Sequence, residues 1–126
     1  MKKIIHSDSA PKAVGPYSQA VRAGSLLFIS GQLPLNPQSM KIEAETVAAQ
    51  AEQVFANMKA ILTEAGLGFE HLVKTTVLLA DIRDFAAVNE VYARHFSGDF
   101  PARAAYQVAA LPLGAKVEIE AVASFE

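Results

Sequence analysis

Residues 100–120 read FPARAAYQVAALPLGAKVEIE, and the last third of this stretch decides the kind of fold. From Lys116 to Ala121, apolar and polar residues alternate strictly. Successive side chains of a β-strand point to opposite faces, so one face carries Val117, Ile119 and Ala121 and the other carries Lys116, Glu118 and Glu120. The pattern predicts a strand with one face in a hydrophobic core and a second face that bears two carboxylates.

The same stretch presents one arginine, Arg103, directly after Phe100-Pro101-Ala102. Proline fixes its own backbone angle and holds the preceding residue extended, so the arginine follows a stiff turn. A guanidinium is a planar fork of donors that binds a carboxylate through two hydrogen bonds. Arg103 is therefore a candidate anchor for a small acid and Glu118 a candidate base. The structural alternative is a solvated strand edge with a weak surface ion pair.

Length and composition indicate one globular domain, residues 1–126. The chain is 52% hydrophobic and 19% charged, and it is long enough to bury a core without disulfides or metal. It has no cysteine, which excludes disulfides, thiolate metal sites and thiol nucleophiles.

Charge and hydropathy limit the classes of partner that we expect this protein to bind. The net charge is -2 and the longest basic run is Lys2-Lys3, which disfavours nucleic-acid binding. Met1–Asp8 becomes polar too early for a secretory signal, and no apolar run approaches the ~20 residues of a membrane span. We therefore expect a cytoplasmic protein that binds neither nucleic acid nor membrane.

Hydrophobic periodicity predicts two helices and five strands. One helix spans Thr46 to Ala65 and ends at Gly66, a typical C-cap residue. A second helix carries its apolar stripe from Phe85 to Phe96 and ends near Ser97-Gly98. Strands are predicted at Ser18–Ala23, Leu26–Ser30, Leu72–Ala80, Arg103–Leu111 and Lys116–Phe125. The order β-β-α-β-α-β-β predicts an α+β domain in which two helices pack on one face of a mixed sheet.

Two of these strands are apolar on both faces. Val77–Ala80 and Ala104–Leu111 contain few polar residues, yet two helices cover only one side of the sheet. Large exposed apolar patches are uncommon on monomers, so the sequence predicts a homo-oligomer whose sheets face inward. A groove between subunits would take Arg103 from one chain and other residues from its neighbour.

Three further residues are candidates with plainer alternatives. Tyr17 can wall a pocket or simply pack with a solvated hydroxyl. Gly31, in Ser30-Gly31-Gln32 at the predicted end of a strand, allows close approach of backbone or belongs to an ordinary turn. Asn89 lies beside the apolar stripe of the second helix, where it faces water or makes a specific hydrogen bond to nearby backbone.

Six motifs together resemble the RidA/YjgF family, in particular its RidA branch of reactive-imine deaminases. They occur in order across nearly the whole chain: Gly15-Pro16-Tyr17-Ser18-Gln19, Ser30-Gly31-Gln32-Leu33-Pro34, Val73-Lys74-Thr75-Thr76-Val77, Val88-Asn89, Pro101-Ala102-Arg103 and Val117-Glu118-Ile119-Glu120-Ala121. The resemblance implies a fold like bacillary chorismate mutase and a homotrimer with sites at the subunit interfaces. It also implies hydrolysis of 2-imino acids, or enamine tautomers such as 2-aminoacrylate, to 2-keto acids and ammonia. Enzymes that use pyridoxal phosphate, such as serine and threonine dehydratases, would supply these substrates.

The resemblance also implies roles for single residues. Arg103 would bind the substrate carboxylate, assisted by the backbone N–H of Gly31, and Glu118 would deprotonate water. Tyr17 would line the pocket across the interface, Ser30 and Asn89 would shape it, and Glu120 would be structural. An iminium carbon is already electrophilic, so this chemistry needs no cofactor and no metal. One departure is Ala105, which stands where some members have a cysteine.

Two other functions stay open at this stage. A non-catalytic trimer that binds a small carboxylate and regulates a partner would use the same arginine. An endoribonuclease or translation inhibitor, an activity attached to some family members, is disfavoured by the acidic pI of about 5.9.

Overall fold

Six strands and two α-helices form the computed structural model, which describes residues 1–126. The strands are β1 (Lys3–Ile5), β2 (Ala20–Ala23), β3 (Leu26–Gln32), β4 (Leu72–Leu79), β5 (Ala102–Gln107) and β6 (Val117–Ser124), and the helices are α1 (Val47–Glu64) and α2 (Phe85–Arg94). The predicted α+β class is confirmed. The sheet has one strand more than predicted, because β1 is only three residues long and shows no periodicity of its own.

The strands form one sheet in the order β1-β2-β3-β6-β4-β5. All neighbours are antiparallel except β4 and β5, which are parallel. The sheet is therefore mixed, as predicted. β6 lies near its centre, between β3 and β4, whereas β5 forms one edge.

The longer helix, α1, matches its prediction to within one residue at each end. The Thr46 side chain accepts a hydrogen bond from the backbone N–H of Ala49 at 3.1 Å, which caps the N-terminus. At the other end Gly66 takes a positive φ of 79°, and Leu67 N donates to Leu62 O at 2.8 Å. This is the Schellman arrangement expected for a glycine that ends a helix. Neither α1 nor α2 combines the length and the apolar character that a membrane crossing requires.

The core lies between the two helices and one face of the sheet. The alternation predicted for β6 is confirmed, because Val117 and Ile119 are fully buried while Glu118 and Glu120 point to the opposite side. We call that opposite side, which no helix covers, the open face. It carries the exposed apolar side chains of Phe28 and Tyr106. The apolar surplus expected from the sequence is thus present on the single chain.

Candidate active site

A β-bulge on the open face shapes the surroundings of the candidate base. The register between β3 and β6 shifts after Ile29, so that Ser30 and Gly31 together lie opposite the single residue Glu120. An extra residue of this kind bends a strand, re-aims side chains and is common beside functional sites. The strand ends within Ser30-Gly31-Gln32, as predicted, because β3 runs through Gln32 and therefore includes Gly31.

Glu118 packs directly against Gly31. A methyl group on residue 31 would overlap the Glu118 carboxylate and would lie 3.0 Å from its Cδ. The φ of Gly31 lies outside the left-handed region, so its effect is one of space: any side chain at residue 31 would force the Glu118 carboxylate to move. Burial raises the pKa of the Glu118 carboxyl, and the nearby charge of Glu120 raises it further. A carboxylate with a raised pKa is a stronger base near neutral pH than an ordinary one.

A cavity of about 560 Å³ opens beside Glu118, and its lining includes Tyr17, Ser30 and Gly31. The Ser30 hydroxyl donates to the backbone carbonyl of Ser18 at 2.6 Å, so it fixes the chain just after Tyr17. The Tyr17 hydroxyl accepts a hydrogen bond from Val14 N at 3.3 Å, and its side chain stays half exposed at the cavity. The structure thus brings four of the predicted site residues together.

Buried amides hold the loops that line this cavity, and sequence reasoning gave these amides no role. The Gln19 side chain is buried; it accepts from Ser7 N at 2.7 Å and donates to Ser7 O at 3.1 Å. Asn57 of α1 likewise donates to the carbonyls of Leu33 and Leu35 at 3.1 and 2.9 Å. A buried amide is costly unless it is bonded, so both side chains fix the positions of these loops. For Asn57 the available signal was its place near the core stripe of α1.

Arg103 lies on the helix side of the sheet, beside α2. It is the second residue of β5 and pairs with Thr75 of β4, whose side chain is fully buried. Its Nη1 donates to Asn89 Oδ1 at 2.7 Å, which uses one of five guanidinium N–H groups. Its central carbon lies 4.8 Å from the centre of the Tyr92 ring, where a cation is attracted to the ring face. Asn89 therefore does make a specific hydrogen bond, but its partner is the Arg103 side chain and not nearby backbone as predicted.

Tyr92 is a residue of this site that the sequence analysis treated only as core. Its hydroxyl shares a buried hydrogen bond of 2.7 Å with Thr75 Oγ1. Burial raises the pKa of the Tyr92 phenol, which therefore stays neutral at working pH. The pair fixes the ring on which the guanidinium rests. No periodic pattern distinguishes such an aromatic from its neighbours in the stripe of α2.

The candidate anchor and the candidate base do not share a cavity within one chain. Arg103 and Asn89 line a cavity of about 340 Å³ between β5 and α2. Glu118 lines the larger cavity on the open face, and β4 separates β6 from β5 in the sheet. We call these the anchor half-site and the base half-site. One half-site presents a cation and the other a carboxylate, and a single chain keeps the two on opposite faces of the sheet.

Comparison with known proteins agrees with the motifs. Residues 7–125 match the model of the family described as endoribonuclease L-PSP. The chain is 53% identical over 123 residues to the human protein named 2-iminobutanoate/2-iminopropanoate deaminase, covering 98% of this chain and 90% of the human one.

Two solved structures show the same fold. A RidA from an Antarctic Psychrobacter species has a TM-score of 0.93 and 50% identity, covering 97% of this chain and 98% of that one. Escherichia coli TdcF, solved with bound serine, has a TM-score of 0.91 and 45% identity, covering 97% and 98%.

Proposed function

Because the chain belongs to the RidA/YjgF family, we propose that it is an enamine/imine deaminase, which hydrolyses 2-iminobutanoate, 2-iminopropanoate and their enamine tautomers to 2-keto acids and ammonia. Relatives with that name at 50–54% identity span nearly the whole chain, which supports the activity. One observation in the chain itself carries the proposal. The Glu118 carboxyl has a raised pKa and lies directly against the backbone of Gly31.

We further propose that the working site joins two chains of a homotrimer. The anchor half-site of one subunit would face the base half-site of the next, which removes the separation seen within one chain. Phe28, Leu78, Tyr106 and Val122 supply apolar surface on the open face for such an assembly. A site of this kind requires both halves and exists only in the oligomer.

The proposed reaction begins with the substrate carboxylate on Arg103. Asn89 leaves part of the guanidinium fork for the ligand, and Gly31 N–H would assist. Glu118 accepts a proton from water while the water oxygen forms a bond to the iminium carbon. As water adds, the C=N electron pair passes to nitrogen, which gives a tetrahedral carbinolamine. Glu118 then returns the first proton to the amino group, the C–N bond breaks to release ammonia, and the hydroxyl proton passes to Glu118 as the C–O bond becomes the keto group. Ammonia takes up this proton as ammonium, which restores the Glu118 carboxylate. An enamine first takes a proton at its terminal carbon to give the same iminium.

The remaining residues would position the reactants. Tyr17 would close the cavity over the substrate, and Ser30 would hold the adjoining loop through its bond to Ser18. Glu120 lines the same cavity but is exposed, and its effect acts through the pKa of Glu118. The iminium carbon is electrophilic by itself, so we expect no cofactor or metal in this step. Dehydratases that use pyridoxal phosphate would be the source of the substrate, in the cytoplasm.

One alternative is a carboxylate-binding regulator without turnover. The TdcF structure holds serine, a small amino acid with a carboxylate, and Arg103 would serve a binder equally well. Only turnover separates the two functions. The family description also names an endoribonuclease, but a net charge of -2 offers no attraction to a phosphate backbone.

A coupled assay tests the proposal. A serine or threonine dehydratase generates 2-aminoacrylate or 2-iminobutanoate, and the release of pyruvate or 2-ketobutyrate is followed with and without this protein. We expect keto acid release well above the spontaneous rate. A rate equal to the spontaneous one, together with measurable binding of the keto acids, would leave the regulator as the function.

A further inference from the structure

The cavity at the anchor half-site offers a ligand more contacts than a carboxylate alone would use. Besides Arg103 and Asn89, its lining consists of the ring of Tyr92 and the side chains of Ala93, Phe100 and Pro101. Its volume of about 340 Å³ lies within the range of small-molecule pockets, ~300–1,000 Å³. A four-carbon acid held by Arg103 leaves much of this space unfilled. The surface beyond the carboxylate is mainly apolar.

Phe100 is an exposed part of that apolar surface, and its ring is held by other aromatic side chains. Its side chain is 58% exposed, although Pro101, the next residue, is buried. Its ring packs against that of Phe96, with centroids 5.7 Å apart, and Phe96 in turn packs against Tyr92 at 5.0 Å. The ring that orients the arginine and the ring at the cavity mouth therefore belong to one aromatic cluster. A rigid apolar wall at a fixed offset from an anion anchor is suited to select ligands by their side chains.

We propose that Phe100 determines substrate specificity, by packing against the side chain of the 2-imino acid whose carboxylate Arg103 holds. This inference rests on the proposed function and deepens it. In this role Phe100 discriminates among 2-imino acids by the apolar length of their side chains, from the short alanine-derived one to those derived from leucine or phenylalanine. The apolar chain leaves water for the ring of Phe100, so each added methylene strengthens binding.

The charges around the cavity support the same class. Arg103 is the only ionisable group that lines it, apart from the Tyr92 phenol. A substrate with a second carboxylate would therefore compete for a single guanidinium, and a cationic side chain would be repelled by it. An apolar side chain neither competes for the guanidinium nor is repelled by it. The small side chain of Ala93, which also lines the cavity, leaves room for it.

The test compares substrates of increasing length in wild type and in Phe100→Ala and Phe100→Leu. An amino acid oxidase generates the imino acids from alanine, leucine and phenylalanine, and release of the keto acids above the spontaneous rate gives kcat/KM. We expect Phe100→Ala to lower kcat/KM for the two long substrates by about five- to tenfold and for the alanine-derived one by less than about twofold. Phe100→Leu should lie between. Ile82→Ala, which shortens an exposed apolar residue outside the cavity, is the matched control and should change none of them.

Product binding gives a second readout that does not depend on turnover. Calorimetric titration with pyruvate and with the leucine-derived keto acid should show that Phe100→Ala weakens only the second. An equal loss for all substrates, no loss, or a change of oligomeric state in Phe100→Ala would overturn the assignment, the last because Phe100 would then be an interface residue. Failure of wild type to turn over any imino acid would instead overturn the proposed function.

Discussion

The two half-sites differ in the environment that each gives to its charged side chain. At the base half-site, Glu118 is pressed into the bulge beside Gly31, and burial raises its pKa. At the anchor half-site, Arg103 remains exposed and is oriented from below by the Tyr92 ring and from the side by Asn89. The surroundings of Glu118 raise the pKa of its carboxyl by burial, whereas the surroundings of Arg103 fix the direction of its guanidinium. A base gains from a shifted pKa, and an anchor gains from a charge that never changes.

The comparison is also the reason for proposing a site that two chains share. The oriented cation and the activated carboxylate lie on opposite faces of the sheet, and neither half-site contains the other's function. The predictions below test whether each half contributes as described, beginning with the largest effect.

Loss of the anchor should have the largest effect. Arg103→Ala should lower kcat/KM for 2-iminobutanoate by about 100-fold or more, since it removes the only charge that holds the carboxylate. Arg103→Lys should recover part of this, because an ammonium cannot bind through a planar fork. The control is Arg83→Ala, an exposed arginine paired with Asp81 at 2.7 Å, which should stay within about twofold of wild type. Equal activity in Arg103→Ala and Arg83→Ala would remove Arg103 from the account.

Filling the space beside the base should have the next largest effect. Gly31→Ala places a methyl group where the Glu118 carboxylate lies, so the base must move, and we expect kcat to fall about tenfold or more. Gly68→Ala is a matched control, because its methyl would also meet a glutamate carboxylate without positive φ. That carboxylate belongs to Glu70, which is exposed and free to move. Similar losses in both variants would show that Gly31 has no special relation to the base.

The pH dependence should show the smallest effect. Glu118 acts as a base when ionised, so activity should be lost as the pH falls through its raised pKa, which lies above the ordinary value of 4.5. Because the charge of Glu120 contributes to this shift, Glu120→Gln should move the acid limb of the kcat profile to lower pH. A limb that stays in place, or moves to higher pH, in Glu120→Gln would contradict the electrostatic link between the two carboxylates.

How far the sequence could predict this site depends on the strand in question. Strict alternation around Glu118 fixed the face of its side chain, and the structure confirms that face. The residues around Arg103, from Phe100 to Leu111, are apolar on both sides, so no pattern indicated which face the arginine takes. That face follows from the pairing of β5 with β4, a long-range contact that periodicity does not encode.

The bulge and the aromatic support of Arg103 escaped prediction for related reasons. A bulge is a mismatch between two strands that are distant in sequence, so neither strand reveals it alone. Tyr92 occupies an ordinary position in the apolar stripe of α2. Its role depends on its contacts with Thr75 and Arg103, which lie elsewhere in the sequence. The fold class, by contrast, depended on α1 and on alternation within β6, which are local signals.

The central claim is that a working site takes Arg103 from one subunit and Glu118 from another. Arg103→Ala and Glu118→Gln, each of which should be almost inactive alone, should be co-expressed with different tags so that only mixed oligomers are purified. In every mixed cyclic trimer one of the three interfaces joins an intact Arg103 to an intact Glu118, so we predict about one third of wild-type activity. Mixed oligomers as inactive as either variant would contradict the account, because sites built within one chain cannot be restored by mixing.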